Sequence, residues 1–542
     1  MERLTWMGCA ALLLQAIVVS ACGGGSGGNG ASEGPRYELS VSISGGGRVS
    51  SQPQGIDCGT TCRAAFDAAT SVTLTATPAS GQRFAGWGGA CAGSASTCTL
   101  TMDADRTASA QFQALPPVAG WGELVRIAGA GATDPVVAID AAGRAIAVWR
   151  RRDSGSPDHR LWGSRSVAGD SWSAPERLET NVGNVSEIRL SVDRASGRGM
   201  LVWIQQGATV DLHARAFDPV TGWAPAALVE SGTGMVGVSS VGVDASGNAV
   251  AVWSQIARAG SGFSVFANRY TRAAGWGTAG LIETSDVIGG GDGDPIVAVM
   301  PGGDALTVWK RSTGSSAELW TNRYAAASAA WGTASQVVAD AGTSQFIGRH
   351  DLAADGVGGA MLVWGQIDVA AGVANHAIWF KRFGTSGWQA DATRVAPPRT
   401  DTQGLISTPV LKVNEAGAAL VSWVEFDRSL TASLAPAGAP FGSTSTLRPT
   451  GPASWSAFPA LGLDATGRAL VAWSDPDSRD LVVAQRLPGS PWTTAVAIEW
   501  YADPAFGPAL AMNESGNAVL AWPQFFSNVG TELVVRRYAS GP

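Results

Sequence analysis

The sequence predicts an all-β protein in which a small disulfide-bonded β-module precedes an eight-bladed β-propeller closed by an N-terminal strand. Three observations carry this prediction. A unit made of an apolar strand, a Gly-containing turn and a second apolar strand ending in Trp recurs eight times, at intervals of 49 to 59 residues. Two further strand-like runs follow each of the first seven units. The last copy lacks its fourth strand, and a similar strand stands unpaired before the first copy. Four short strands per repeat are typical of a propeller.

One copy of the unit, Val243–Trp253, reads V-D-A-S-G-N-A-V-A-V-W. Asp bonds the backbone two residues on and Gly tolerates positive φ, so this turn suits a short hairpin. The closing tryptophans are Trp149, Trp203, Trp253, Trp309, Trp364, Trp423, Trp473 and Trp522. A glycine lies six residues before each of them.

Composition narrows the class of protein. The chain has 542 residues, 45% of them hydrophobic, which indicates a folded protein rather than a disordered one. The formal net charge is −7 and no Lys/Arg run occurs, which argues against a nucleic-acid partner. Beyond the N-terminus, no hydrophobic segment is long enough to span a bilayer.

The N-terminus, residues 1–22, has the features of an export signal: one Arg, an apolar run and small residues at its end. Its last four residues, Val19-Ser20-Ala21-Cys22, resemble the lipobox of bacterial lipoproteins. The resemblance implies cleavage before Cys22, lipidation of that Cys and membrane attachment. Because Gly23 replaces the Asp that retains many such proteins at the inner membrane, an outer-membrane lipoprotein is expected. An ordinary secretory signal is the alternative. The Gly-rich residues 23–36 form a flexible tether.

Residues 37–113 form the predicted module, and they contain the four cysteines that the mature chain is expected to have besides the lipidated Cys22. An even number in an exported protein favours disulfides. Four cysteines allow three pairings, and we expect the local pairs Cys58–Cys62 and Cys91–Cys98, since each brackets a short polar loop. Zinc is the alternative, but the segment contains no His.

Three strings within this segment carry a family resemblance: G-I-D-C-G-T-T-C at Gly55–Cys62, S-V-T-L-T-A-T-P at Ser71–Pro78 and F-A-G-W-G-G-A-C at Phe84–Cys91. Together they resemble the divergent internalin-type repeat, a small β-module of bacterial surface proteins. The resemblance implies a spacer or adhesion role without catalysis. Residues 114–120, with two adjacent prolines, form a stiff linker to the propeller.

The propeller is assigned to residues 121–542, with strands a to d in each repeat. The four strands of the first copy are predicted at Pro135–Asp140, Arg144–Arg151, Arg160–Val167 and Trp172–Glu179. In the last copy, strands a, b and c lie near Ala509–Met512, Ala518–Trp522 and Glu532–Tyr538, and the chain then ends. The unpaired strand beginning at Trp121 is therefore expected to complete the last blade and close the ring, which leaves no open sheet edge between the chain ends.

Strand direction alternates within a blade, so the b–c and d–a loops share one face. These loops are long and varied, and variable loops on a rigid scaffold usually carry function. Two residues after each closing Trp, every copy has a polar residue, and this set is the candidate ligand face: Arg151, Gln205, Gln255, Arg311, Gln366, Glu425, Asp475 and Gln524. The alternative is that these positions leave the sheet and meet water.

No familiar catalytic motif appears, and the four histidines lack metal-ligand spacing. We therefore expect no cofactor, no metal and no enzymatic activity. The expected function is that of a monomeric, lipid-anchored binding or scaffold protein of the cell envelope that presents its propeller to a glycan or protein. The alternative is a glycosidase- or lyase-like carbohydrate-active enzyme that uses loop acids, among them the pairs Asp475/Asp477 and Glu425/Asp427.

Overall fold

A computed structural model describes residues 34–540, apart from residues 80–81, 115–117, 154, 167–170, 181–182, 233, 257–261, 284–290, 313–316, 340–344, 371–372, 398, 401–408, 426, 450–458, 500, 502 and 528. The described residues form strands, turns and bends without a helix, so the predicted all-β class is confirmed. Among them no helix is long and apolar enough to cross a membrane. The predicted signal, Cys22 and most of the tether lie outside the described residues.

The N-terminal module contains the strands β1 Arg36–Ser44, β2 Gly47–Gln52, β3 Asp57–Cys58, β4 Arg63–Asp67, β5 Ser71–Pro78, β6 Gln82–Gly89, β7 Thr97–Thr101 and β8 Arg106–Ala114. They form two four-stranded sheets, ordered β4-β1-β8-β6 and β3-β2-β5-β7. The disulfides Cys58–Cys62 and Cys91–Cys98 form as predicted. Alternate residues such as Leu39, Val72 and Leu74 are fully buried between the sheets, which gives this short segment its own core.

Eight further sheets, here called blades 1 to 8, follow in chain order. Blade 1 comprises β10 Ala132–Ile139, β11 Ala145–Arg152, β12 His159–Ser166 and β13 Glu176–Arg177. Blade 2 comprises β14 Asn184–Val192, β15 Gly199–Gln206, β16 Val210–Asp218, β17 Gly222–Trp223 and β18 Ala227–Leu228. Blade 3 comprises β19 Val236–Val243, β20 Ala249–Ile256, β21 Phe263–Thr271, β22 Gly275–Trp276 and β23 Gly280–Leu281. Blade 4 comprises β24 Gly291–Val299, β25 Ala305–Ser312, β26 Ala317–Ala325, β27 Ala330–Trp331 and β28 Ser335–Val338.

The second half of the ring follows the same order. Blade 5 comprises β29 Gln345–Ala354, β30 Ala360–Ala370, β31 Val373–Gly384, β32 Gly387–Trp388, β33 Thr393–Arg394 and β34 Arg399–Thr400. Blade 6 comprises β35 Val410–Val413, β36 Ala419–Val424, β37 Leu430–Ala435 and β38 Ser445–Arg448. Blade 7 comprises β39 Ala460–Leu463, β40 Ala469–Ser474, β41 Leu481–Arg486 and β42 Val496–Ala497. Blade 8 comprises β43 Ala509–Met512, β44 Ala518–Phe526, β45 Gly530–Tyr538 and β9 Trp121–Ala128.

The first strand of each blade contacts the first strand of the next, and β43 of the last blade contacts β10 of the first. The sheets therefore stand around an axial channel as a closed ring. Closure uses both ends of the propeller segment, because β9 pairs antiparallel with β45, with Val125 opposite Val535. The unpaired strand before the first repeat thus completes the last blade, as predicted.

The closing Trp of strand b fills the space between neighbouring blades. All eight of these side chains are at most 1% exposed. Trp253 of blade 3, for example, packs with Met200, Val202 and Ile204 of blade 2. A large flat ring suits this wedge-shaped space. The tryptophans that open strand d also pack on aromatic residues of strand c in their own blade: Trp276 packs on Tyr270, with ring centroids 5.5 Å apart.

Strand d is shorter than predicted. In blade 1 the predicted run Trp172–Glu179 reduces to Glu176–Arg177, and in blade 2 the corresponding edge is split into two pairs of residues. The same gap recurs in blades 3 and 4, between Trp276 and Gly280 and between Trp331 and Ser335.

Candidate functional site

The eight positions of the predicted ligand face lie at the end of strand b, on the side of the b–c and d–a loops, which we call the loop-rich face. In five blades this residue accepts a hydrogen bond from the indole N–H of the Trp two residues earlier. The donor–acceptor distances are 2.8–3.2 Å, for the pairs Trp203–Gln205, Trp253–Gln255, Trp364–Gln366, Trp423–Glu425 and Trp522–Gln524. All five acceptors are buried. Their first role is therefore to satisfy an indole N–H that packing has removed from water.

The glutamines of this set also hold the loops. The amide nitrogen of Gln205 donates to the carbonyl of Gly183 at 2.9 Å, and that of Gln255 donates to Gly234 at 2.9 Å. Gln524 donates in the same way to Asp503 at 2.7 Å. Each carbonyl belongs to the d–a loop that enters the blade. A single buried amide thus joins the wedge Trp to a loop of the loop-rich face.

Blades 1, 4 and 7 lack this arrangement. Arg151 and Arg311 have no acceptor atom, and instead stack over strand-c tryptophans, 3.7 Å from the Trp162 centroid and 4.7 Å from the Trp320 centroid. Asp475 turns its carboxylate into the b–c turn. Within the described part of the chain, the indole nitrogens of these three blades have no hydrogen-bond partner; they belong to Trp149, Trp309 and Trp473. Direct contact between the eight positions and a ligand stays a prediction.

The b–c turn of blade 7, which we call the acidic turn, is the strongest grouping of chemistry-bearing residues on this face. It runs from Asp475 to Asp480, whose backbones are joined by a 2.8 Å hydrogen bond from the Asp475 amide to the Asp480 carbonyl. The buried Arg448 of blade 6 reaches this turn. Its Nε lies 2.9 Å from a carboxylate oxygen of Asp475, and its Nη2 lies 2.5 Å from one of Asp477. One guanidinium therefore joins two blades and fixes two carboxylates.

The environment of this turn shifts the pKa values of Asp475 and Asp480, two of its three carboxyl groups, in opposite directions. Burial raises the pKa of Asp475, but hydrogen bonds from the Ser478 amide, Arg448 and the Asp477 amide outweigh it, so the pKa lies below its ordinary value. Burial raises the pKa of Asp480 above its ordinary value; the Ser478 hydroxyl opposes this, and the nearby Asp475 carboxylate adds to it. A carboxyl group with a lowered pKa close to one with a raised pKa is the kind of pair that acid and base chemistry uses.

Glu499 lies behind the acidic turn and is fully buried. Its two oxygens accept hydrogen bonds from the amides of Leu481 and Tyr501, both at 2.8 Å. Burial raises the pKa of Glu499 to about 8. With no exposed surface, Glu499 supports the turn and the following d–a loop rather than meeting a substrate. It was not identified from the sequence, although an apolar–Glu pair ends strand d in four blades, at Leu178-Glu179, Val229-Glu230, Ile282-Glu283 and Ile498-Glu499.

The other acid pair considered from the sequence is not brought together for catalysis. Glu425 accepts the indole N–H of Trp423, whereas Asp427 accepts the amide and hydroxyl of Ser429 at 2.9 and 2.6 Å. Asp480 and Arg448 are the residues that sequence reasoning missed. No local pattern marks them, because their importance comes from the contact between blades 6 and 7. The described residues contain no group of three or more His, Cys, Asp or Glu side chains suited to a metal ion.

Comparison with known proteins gives one family match. Residues 37–116 match the divergent InlB B-repeat domain, in agreement with the resemblance found in the sequence. The two disulfides and this repeat indicate an extracytoplasmic protein. No curated protein matches the chain.

Several solved structures are similar to the chain at low sequence identity. A lectin from Burkholderia pseudomallei is 11% identical, with 68% of this chain and 100% of the lectin covered at a TM-score of 0.44. An ulvan lyase is 9% identical, with 76% and 95% covered at a TM-score of 0.43. A microbial sialidase is 14% identical, with 62% and 74% covered at a TM-score of 0.34.

The expectation that the protein is not an enzyme is contradicted by this set of structures. It includes polysaccharide lyases, a sialidase, an α-L-arabinanase from Penicillium chrysogenum and a prolyl endopeptidase. The expectation rested on missing motifs, and carboxylates dispersed over the loops of a propeller leave no contiguous motif to find. Because the TM-scores are below 0.5, the activity of this chain has to be argued from its own residues.

Proposed function

We propose that the protein is an extracytoplasmic carbohydrate-active enzyme that cleaves a glycosidic bond on its loop-rich face. The observation that carries the proposal is the acidic turn, where the pKa of Asp475 is lowered and that of Asp480 is raised within one six-residue segment. Enzymes that cleave glycosidic bonds commonly use two carboxyl groups held in different protonation states.

In this proposal Asp480 is the general acid. A carboxyl group that keeps its proton to a higher pH can donate it to the departing sugar oxygen. Asp475 remains ionised in this proposal. It acts either as the base or as a stabiliser of the positive charge that develops on the sugar. Arg448 positions Asp475 and lowers its pKa, so its effect is transmitted through that carboxylate.

The experiment uses the full chain and a panel of neutral, uronic-acid-containing and sulfated polysaccharides. New reducing ends report any cleavage, and ultraviolet absorbance of an unsaturated product separates elimination from hydrolysis. Asp475→Asn and Asp480→Asn are each expected to lower the rate about 10²–10⁴-fold. Asp158→Asn is the matched control, since Asp158 is a partly exposed acid on the b–c loop of blade 1 that pairs with Arg160 at 3.9 Å.

Two results would contradict the proposal. One is cleavage that survives in both acidic-turn variants at the rate of the control. The other is tight binding of a polysaccharide by the unaltered protein without any cleavage, which would identify a binding protein instead.

The proposal for location is that Cys22 carries a lipid and tethers the protein to the outer membrane through residues 23–36. The lipobox-like sequence and the Gly-rich segment after it support this, as does the spacer character of the module assigned to residues 37–113. Cells fed a radioactive fatty acid should label the unaltered protein. Cys22→Ala should lose the label and release the protein into the soluble fraction, and a variant that stays labelled would refute lipidation at this residue.

A further inference from the structure

One position of strand a is restricted around the ring. It pairs with the second residue of strand b in every blade, and we call it the inner-ring position. Seven blades have a small residue there, namely Ala138, Ser191, Gly242, Ala298, Ala353, Gly462 and Ala511. Blade 6 has Lys412. It is the single charged residue in this set of eight.

The restriction has a steric origin. A Cβ added to Gly242 would lie 2.6 Å from the Val299 side chain of the next blade, and one added to Gly462 would lie 2.9 Å from the Met512 side chain. A lysine at this position is therefore too long to remain between the strands. Lys412 instead lines a cavity of about 260 Å³ in the axial channel, walled by the first strands of blades 1, 2, 7 and 8.

The environment of Lys412 differs from that of the other two lysines in the chain. Lys381 donates to the carbonyl of Val337 at 3.0 Å, and Lys310 lies 3.8 Å from the carboxylate of Asp294. Within the described ranges, no hydrogen bond or ion pair is formed by the ammonium of Lys412. Burial lowers the pKa of Lys412; attraction to Asp351 opposes this, and repulsion from Arg194 adds to it. The Asp351 oxygens already accept the amides of Leu411 and Leu352.

Arg194 lines the same cavity for a reason visible in the turn that contains it. In six blades the turn glycine donates its amide to the residue three positions earlier, as Gly143 does to Asp140. In blade 2, Gly197 donates to Asp193, four positions earlier, at 2.9 Å. The extra residue lets the Arg194 side chain cross the channel. Its guanidinium pairs with Glu514 of blade 8 and donates to the Val413 carbonyl of blade 6 at 3.4 Å.

From this geometry we propose that the cavity between Lys412 and Arg194 is a binding site for a single oxyanion group, a carboxylate or a sulfate. The two cations are the charged side chains of its lining, and they come from opposite sides of the channel. An anion placed between them would give the Lys412 ammonium the hydrogen bonds that it lacks and would relieve its repulsion from Arg194. Asp351 attracts Lys412 and Glu514 pairs with Arg194, so these cations also have carboxylate neighbours.

This site is separate from the acidic turn, so it does not depend on the proposed glycosidic activity. Two sources can supply the group: a free inorganic anion, or the acidic substituent of a sugar.

The test exploits the small number of lysines. The three side chains of the full chain, Lys310, Lys381 and Lys412, are dimethylated with ¹³C and assigned by substituting each in turn. Sodium sulfate, sodium glucuronate and glucose are then titrated separately at constant ionic strength kept with sodium chloride. The Lys412 resonance alone is expected to move, and to saturate, with sulfate or glucuronate. Saturation by sulfate only identifies an inorganic anion, and tighter binding of glucuronate identifies an acidic sugar.

Calorimetric titration of the unmethylated protein gives the second measurement. Lys412→Met is expected to weaken binding of the anion at least tenfold, whereas the control Lys381→Met leaves it unchanged. The proposal is overturned if the three lysine resonances move together, if glucose moves the Lys412 resonance as far as the anions do, or if no resonance moves. The resonance of the unaltered protein keeps the test decisive even where a variant folds poorly.

Discussion

Replacing Gln255 with Leu tests whether the buried amides at the end of strand b are structural. Gln255 accepts the indole N–H of Trp253 at 3.0 Å and donates to the Gly234 carbonyl at 2.9 Å. Leu fills a similar volume but leaves both groups unpaired. A buried polar group without a partner costs about 1–3 kcal/mol. The indole N–H stays buried without a partner and incurs the full cost, whereas the loop carbonyl recovers part of its hydrogen bonding from water. The free energy of unfolding should therefore fall by about 2–4 kcal/mol.

The matched control is Arg151→Leu in blade 1. There the indole of Trp149 already lacks a partner among the described residues, so the substitution removes only the stacking on Trp162 and a partly buried ion pair with Asp153. A cost of about 1 kcal/mol is expected. Urea unfolding followed by tryptophan fluorescence measures both variants. Equal destabilisation by Gln255→Leu and Arg151→Leu would refute the structural role.

Two further predictions concern pH and the disulfides. Because burial raises the pKa of Glu499 from 4.5 to about 8, the stability it contributes is fully present below pH 4.5 and is lost as the pH rises towards 8. Urea unfolding should show the protein losing up to about 1.4 kcal/mol per pH unit relative to Glu499→Gln in this window, and parallel stability curves would contradict it. Removing the Cys91–Cys98 disulfide with two Ala substitutions should destabilise the module by about 2–3 kcal/mol. Hydrogen exchange of Ser71–Pro78 in the full chain measures this loss, and unchanged protection would show that the disulfide is dispensable.

The features that the sequence predicts correctly are those set by local spacing. The period of the closing Trp and its glycine gives the repeat, and the missing fourth strand of the last copy predicts the pairing of β9 with β45. The disulfides also follow from proximity in the chain. In each case the paired residues are close in sequence, or the strand that is missing from the last repeat is found before the first one.

The features that the sequence does not reveal depend on residues distant along the chain. The spacing places Gln205 at the end of strand b, yet its orientation depends on the Gly183 carbonyl, 22 residues away. The longer turn before Gly197 is visible in the sequence, but the destination of Arg194 is decided by ring closure, which brings Glu514 within reach. Likewise, part of the lowering of the Asp475 pKa comes from the buried Arg448 of the neighbouring blade.

Blade 8, assembled from both ends of the propeller segment, imposes an order of events on biosynthesis. β9 leaves the ribosome before any other propeller strand, but its partner β45 is the last to be made. Until then β9 and the blade 1 side that will face blade 8 remain open to wrong partners. Such a long-range pairing is slow to form. An exported chain can therefore remain without its closed ring until β45, its final strand, has crossed the membrane. We expect deletion of β45 to leave a chain that is synthesised normally and degraded after export.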